Sequence, residues 1–485
     1  MDLIVILLAL GMLIFFAYRG FSVIIIAPLC ALFAVFFTDP SYVLPFFSNI
    51  FLEKMVGFIK LYFPVFLLGA IFGKVIEMTG VAKKIAKIIV RFIGAKQAIL
   101  TVVLMGAILT YSGVSLFVVV FAVYPFAAQL FREANIPKRL IPATIAFSAF
   151  TFSMDAIPGS PQIQNVIPTT FFNTNVYAAP ILGMIGAAFI FIIGMLYLES
   201  RRRKAAADGE GYYGKGKNAI KETVAFSELA ATSETLTEPA TTISEAKIEA
   251  KDWLAFLPLV LVGVLNKFFT TYIPKWYSNG FDFAEIGLND FGSVNMNQQL
   301  ALWSVELALL IGILTTIALN FQAVKNNFQT SLNAGISGAI LATMNTASEF
   351  GFGGIIAILP GFVFVQNTLS ATFTNPLVNG AVLTNVLAGI TGSGSGGISI
   401  TLGIMAEKYV EAANAFGIPL EVMHRVIAMA AGGMDTLPHN GAVITLLAVC
   451  GLTHRQAYKD IFVITIIKTF ACFLIICVYL LTGIV

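Results

Sequence analysis

Charge is what this sequence has least of. Lys, Arg, Asp and Glu make up 11% of its 485 residues, against about a quarter in a soluble domain. A chain so poor in charge cannot cover a globular surface with groups that water solvates. With 58% hydrophobic residues and a mean hydropathy of +0.87, it reads as an all-α polytopic membrane protein. Cysteine is scarce too: Cys30, Cys450, Cys472 and Cys477 all fall in apolar runs, so they read as small buried hydrophobes, with neither a disulfide set nor a metal-ligand spacing. The first twenty residues lack a basic leader and a small-residue cleavage site, and the expectation is a retained first helix. "GSGSGG" lacks the Lys-Ser/Thr that would hold phosphate and Mg²⁺. Neither a cofactor nor a nucleic-acid partner is expected.

Apolar runs of spanning length lie at about 2–18, 21–38, 55–79, 139–172, 176–198, 252–272, 300–319, 332–348, 423–450 and 461–484. Two more, about 97–131 and 380–410, have polar or glycine-rich middles, "TYSGVS" (110–115) and "TGSGSGGIS" (391–399). These are expected to be re-entrant hairpins, because irregular backbone inside a membrane must be buried in protein or line a wet cavity, with a pair of full crossings each as the alternative. Residues 201–251 are polar and of mixed charge, a flexible cytoplasmic linker. The division predicted is a first membrane repeat at 1–200, the linker at 201–251 and a second repeat at 252–485.

The halves correspond. "FSMDAIPGSP" (152–161) and "GGMDTLPHNG" (432–441) both carry Met-Asp-x-(Ile/Leu)-Pro inside an apolar run. In each half a Gly/Ser hairpin and an Ile-Pro step precede that motif: "SGVS…NIPKRL…SMDAIP" and "GGIS…GIPLEV…GMDTLP". Residues 83–139 hold eight Lys/Arg and one acid, whereas 351–425 hold only Lys408 and Arg425. By the positive-inside rule the first hairpin opens from the cytoplasm and the second from outside, an inverted repeat.

An aspartate at membrane depth costs about 2.5–3.5 kcal/mol. Two of them at matched Pro/Gly breaks imply a wet, polar centre, since proline and glycine interrupt the helix there. In inverted-repeat transporters such broken helices, in 139–172 and 423–450 here, form the substrate and ion site. Asp155 and Asp435 are therefore the candidate residues for a coupling ion, H⁺ or Na⁺. Thr110, Ser112, Gly113, Ser115, Ser160, Gln162, Asn165, Ser393, Ser395, Ser399, His439 and Asn440 are the candidates for binding a small organic anion, through hydroxyls, amides and backbone N–H groups. Blander roles compete: Gly/Ser runs pack helices closely, and Asp155, Asp435 and His439 can cap half-helices. Glu77 and Glu349 are expected near membrane surfaces, solvated or paired. Lys60 and Lys468 are expected to snorkel toward an interface.

Three stretches carry a resemblance: "TYSGVSLFVVVFAVYPFAAQLFREANIPKRLIPATIAF" (110–147), "SMDAIPGSPQIQNVIPTTFF" (153–172) and "MDTLPHNGAVITLLAVCGLTHRQAYKDIF" (434–462). They resemble the gluconate permease family of the ion transporter superfamily, and within it the D-β-hydroxybutyrate permease-like branch. The break "IPGSPQ" departs from the "PPHPGP"-like break of the gluconate members. The resemblance implies cation-coupled uptake of a small hydroxy or keto acid, such as 3-hydroxybutyrate or a gluconate-like sugar acid. It also implies an elevator-type fold, a bacterial inner membrane and a homodimer. A cation/proton antiporter is the alternative, because paired broken helices with aspartates serve it as well. An intramembrane aspartyl protease is more remote, as its Gly-x-Gly-Asp is here Gly432-Gly433-Met434-Asp435.

Overall fold

In the computed structural model of the chain, residues 2–19, 21–93, 97–114, 116–214, 250–278, 280–294, 296–362, 364, 368, 372–438 and 440–485 are described. Helix dominates them. The first half has α1 (Asp2–Tyr18), α2 (Val23–Thr38), α3 (Leu52–Met78) and α4 (Val81–Ile93). It continues with α5 (Ala98–Tyr111), α6 (Leu116–Glu133), α7 (Ile141–Ala149), α8 (Ile163–Phe172) and α9 (Pro180–Ala207). The second half has α10 (Leu257–Trp276), α11 (Met296–Leu319), α12 (Phe321–Ile358), α13 (Pro376–Thr391) and α14 (Gly394–Phe416). It ends with α15 (Leu420–Gly432), α16 (Gly441–Cys450) and α17 (His454–Thr482). The β structure among the described residues is a pair of two-residue strands in the α10–α11 loop, Phe281–Asp282 against Ser293–Val294.

By length and composition five described segments suffice to cross a membrane: Pro40–Ile76, Pro180–Ala207, Asp252–Trp276, Gln299–Leu319 and His454–Thr482. Several runs of spanning length thus hold shorter or broken helices instead. The 139–172 run splits into α7, a one-turn helix at Phe152–Asp155 and α8. The 423–450 run splits into α15, a 3-10 turn at Gly433–Thr436 and α16. Pro158, Gly159 and Pro161 stand in the first gap and Pro438 in the second, where residues without a free N–H or with φ above zero cannot continue a helix.

The packing repeats as the sequence does. The long helices α3 and α12 lie against each other; the α1–α2 pair packs on α12 through α2, and the α10–α11 pair packs on α3 through α11. The remaining helices form a second group, in which α5 packs on α7, α13 on α15, α9 on α17, and α8 on both α14 and α15. Two leading helices, a long helix, a hairpin, a broken helix and a closing helix therefore occur twice in the same order. The hairpin turns follow local chemistry. Gly113 takes φ +93° after α5. Gly392 takes φ +68° after α13, and Ser393 then caps α14, its hydroxyl accepting the Gly396 N–H at 3.0 Å.

Two expectations change. Residues 201–207 are helical, and Tyr212 beyond them is buried. Arg139 binds Glu210 at 2.7 Å and the Lys138 N–H donates to the Tyr212 carbonyl at 2.9 Å. These contacts hold the stretch to the base of α7, so ordered chain runs past 201; residues 215–249 of the expected linker lie outside the described residues. Second, α12 runs ten residues beyond the expected end at 348. Its "FGFGG" turn fits there because glycine lets neighbouring elements approach: a Cβ on Gly351 would stand 2.9 Å from the Phe51 carbonyl oxygen, and one on Gly353 would stand 2.9 Å from the Ile400 side chain.

Candidate transport site

Both helix breaks and both hairpin tips meet in one buried place. Asp155 ends the one-turn helix of the first break with no exposed surface. Its Oδ2 forms an ion pair with Lys468 of α17, itself fully buried, and the same ammonium donates to the Phe150 carbonyl at 3.2 Å. The other oxygen, Oδ1, has no hydrogen-bond partner among the described residues. Gly432, the last residue of α15, lets the pair form, since a Cβ there would overlap both the carboxylate and the ammonium.

Asp435, in the second break, is held differently. Its Oδ1 accepts the Gly394 N–H at 2.7 Å, from the first residue of α14, and the Asn440 amide at 3.3 Å. Its Oδ2 accepts Gln164 Nε2 at 3.1 Å, from the first turn of α8. One carboxylate thus ties together the second hairpin tip, the second break and the first break. The first tip is tied to the first break by Gln162, whose amide donates to the carbonyls of Thr110 at 2.6 Å and Val114 at 3.0 Å. Tyr111 adds a bond from its hydroxyl to the Pro158 carbonyl at 2.9 Å.

Beneath the breaks lies a rigid support. Arg425, on α15 and without exposed surface, donates to the backbone oxygens of Asp155 at 2.5 Å and Ala178 at 2.7 Å and to Asn165 Oδ1 at 2.9 Å. Asn165 gives its amide protons to the carbonyls of Ser160 and Val176, each at 2.8 Å, so its Oδ1 is the accepting atom. His424 Nε2, 3.2 Å from that oxygen, must then carry a proton, and Nδ1 shares a hydrogen bond with the Thr174 hydroxyl at 2.7 Å. Both ring nitrogens are thus used. A buried polar set satisfied this fully holds a single geometry.

Lys468 and Arg425 face Asp155 and Asp435. Four helices also begin here: α6 after the first tip, α8 after the first break, α14 after the second tip and α16 after the second break. Each brings the positive end of its dipole. The buried hydroxyls of Thr110 and Ser160, and the Gln164 carbonyl oxygen, have no partner among the described residues.

The chain matches the family described as GntP family permease over residues 1–230. It is 64% identical to "Uncharacterized transporter YxjC" of Bacillus subtilis (strain 168) over 485 residues, all of both chains. It belongs to the GntP permease family. The crystal structure of the Alcanivorax borkumensis YdaH transporter aligns with a TM-score of 0.49 at 13% identity, over 91% of this chain and 89% of that one.

Among the residues singled out from the sequence of this GntP permease, the structure brings Thr110, Gly113, Ser160, Gln162, Asn165, Ser393, Ser395 and Asn440 to the tips and breaks around Asp155 and Asp435. Gln162 and Asn165 spend their amides on the backbone and so shape the site. Ser112 bonds back to the Ile108 carbonyl at 2.6 Å, inside its own helix. Ser399, more than a turn into α14, is buried with its hydroxyl unpartnered among the described residues. Ser115 and His439 lie outside the described residues, as does the side chain of Glu77. Lys468 does not snorkel; it is buried because the packing of α17 on α9 and α7 carries it inward to Asp155. Glu349 is not at a membrane surface; it is 3% exposed beside the second hairpin tip.

Four residues of this candidate site, Gln164, His424, Arg425 and Lys468, carry no signal in the repeat motifs. The cue that exists is general. Arg425 and Lys468 are basic residues inside apolar runs, and such residues face the interior of a helical bundle.

Proposed function

We propose that this permease takes up a small hydroxy or keto carboxylate, of the 3-hydroxybutyrate or gluconate-like class, driven by a cation gradient across the cytoplasmic membrane of a bacterium. The observation that carries this reading is the convergence of both hairpin tips and both helix breaks on one buried polar centre. Four helix N-termini and the Arg425 guanidinium give that centre the character of an anion site. An uncharged solute would not need it.

The parts divide the work. The backbone N–H groups at the starts of α8 and α16 and the tip hydroxyls bind the carboxylate and hydroxyl of the solute. Arg425, His424 and Asn165 hold the loop carbonyls and keep the first break in shape. The second group of helices moves as a unit against α3 and α12, so that hairpins opening from opposite faces expose the centre in turn. The carboxylates are poorly placed for hydrolysis: Asp155 is paired with Lys468 and Asp435 accepts three amide N–H groups, whereas protease chemistry needs two carboxylates sharing a proton.

The test is counterflow in proteoliposomes. Vesicles preloaded with unlabelled 3-hydroxybutyrate, acetoacetate, lactate, gluconate or citrate are diluted into labelled 3-hydroxybutyrate. Transient accumulation with one or more monocarboxylates is expected. An ion gradient that dissipates with no organic solute, together with no counterflow for any of the acids, would assign the protein to cation/proton antiport instead.

A further inference from the structure

A third carboxylate, that of Glu349, stands beside Asp435 at the second hairpin tip. It projects from α12, a helix of the first group, onto the tip of the second hairpin, which belongs to the second group. Its side chain is hydrogen-bonded by Ser393, and its Oε2 is buried without a partner among the described residues. The tip closes directly on it: a Cβ on Gly396 would collide with Oε2. Around it Thr346 Oγ1 lies 3.5 Å from Ser395 Oγ, which lies 3.2 Å from Ser393 Oγ.

Among the described residues no cation is paired with it. The charged group within electrostatic reach is Asp435, of like sign. Lys54 and Lys60 on α3 and Lys408 on α14 are exposed, and Lys468 is engaged with Asp155 and acts on Asp435. A bare carboxylate buried in a membrane interior costs several kcal/mol or more, so such a group takes a proton. The first hairpin tip meets α3 at a glycine. There the tip carbonyl of Gly113 faces Gly69 of α3, at 3.6 Å from where a Cβ would stand.

We propose that Glu349 is the proton carrier of the transport cycle, and that its protonation permits the second hairpin tip to seat against α12. The proposal rests on the carboxylate-permease reading and adds which residue couples it. With the tip withdrawn, water reaches Glu349 and it ionises. A proton taken from the outer side neutralises it, the tip closes, and the proton leaves to the inner side with the solute. No other bond changes, and one proton carried with one monocarboxylate leaves the crossing without net charge. Asp155, locked to Lys468, is then part of the frame and not the coupling group.

Glu349→Gln, which mimics the protonated form in shape and charge, separates coupling from carriage. In proteoliposomes it should keep 3-hydroxybutyrate counterflow within about twofold of wild type at equal pH on both sides. It should lose accumulation driven by an inward proton gradient, and Glu349→Asp should restore part of it. Infrared difference spectra of the purified protein titrated in pH, with no solute, should show a protonated-carboxyl band that Glu349→Gln removes. Wild-type accumulation in the Gln variant, loss of counterflow along with accumulation, accumulation that follows Na⁺ and not pH, or a band unchanged by the substitution would each overturn the proposal. Absence of counterflow in the wild type would instead strike at the carboxylate-permease reading, and the infrared arm would still decide the state of Glu349.

Discussion

Removing one partner of the Asp155–Lys468 pair should destabilise the protein far more than removing both. Each side chain is fully buried. Lys468→Met leaves the carboxylate without its cation, and Asp155→Asn leaves the ammonium with the Phe150 carbonyl as its acceptor. Orphaning one member of a buried ion pair costs about 3–5 kcal/mol, while replacing both by neutral groups is often neutral or better. If the 485 residues unfolded together at about 2.1 cal/mol/K each, every kcal/mol would lower the melting temperature by about 1 °C. Each single variant should thus melt about 3–5 °C lower in detergent, and the double variant should regain at least half of that loss. The assay is thermal unfolding of the four proteins, followed by tryptophan fluorescence and by size-exclusion recovery after heating. Additive losses in the double variant would show that the two groups do not form a pair, and single variants as stable as wild type would show that the pair is not buried.

Other sites give sharper contrasts. Gly432→Ala should abolish folding or transport because its methyl would sit on the Asp155–Lys468 contact, whereas Gly441→Ala, with open space at its Cβ, should behave as wild type in both. Arg425→Lys cannot reach the Asp155 and Ala178 carbonyls and Asn165 together; a loss of about 3 kcal/mol, two charge-assisted bonds' worth, is expected in the same melting assay. Asp460→Asn, at the end of the molecule where Asp460 binds Arg139 at 2.8 Å and Arg201 at 2.6 Å, should cost about 1–3 kcal/mol, with the deficit shrinking in high salt. The Glu210 hydrogen bond holds the Arg139 guanidinium above its ordinary range, so its contribution is complete at any pH below that at which arginine titrates, and melting of the wild type should show no step from this group between about pH 6 and 9. Asp435→Ala removes the acceptor of the Gly394 N–H and should speed thiol labelling of Ser395→Cys several-fold; an unchanged rate would mean that Asp435 does not hold the tip.

What the sequence disclosed and what it hid follow one physical line. Local chemistry was legible: Pro and Gly after Met154-Asp155 and Met434-Asp435 mark the breaks, and Gly113, Gly392 and Ser393 mark the tips, because backbone geometry is decided within a few residues. Partners across the bundle were not legible. Asp155 and Lys468 are 313 residues apart, and nothing in the spacing of either run announces the other. A lysine alone in an apolar helix reads as a snorkelling residue until the packing of α17 shows which way it faces. Glu349 was misplaced for a related reason: the glycines of "EFGFGG" look like the end of a span, yet they are where α12 fits against Phe51 and Ile400. Tertiary contact outweighs the local helix-breaking tendency of glycine there.

The central claim is that two hairpins, entering from opposite faces, close on one solute site. It is tested most directly by placing Ser112→Cys and Ser395→Cys, separately, in a chain whose four cysteines have been replaced. Each is then labelled with an impermeant thiol reagent in whole cells and in inside-out vesicles. The account predicts that Ser112→Cys reacts faster in the vesicles, that Ser395→Cys reacts faster in the cells, and that 3-hydroxybutyrate protects both. Labelling of both from the same face, or a solute that protects one tip and leaves the other untouched, would contradict it.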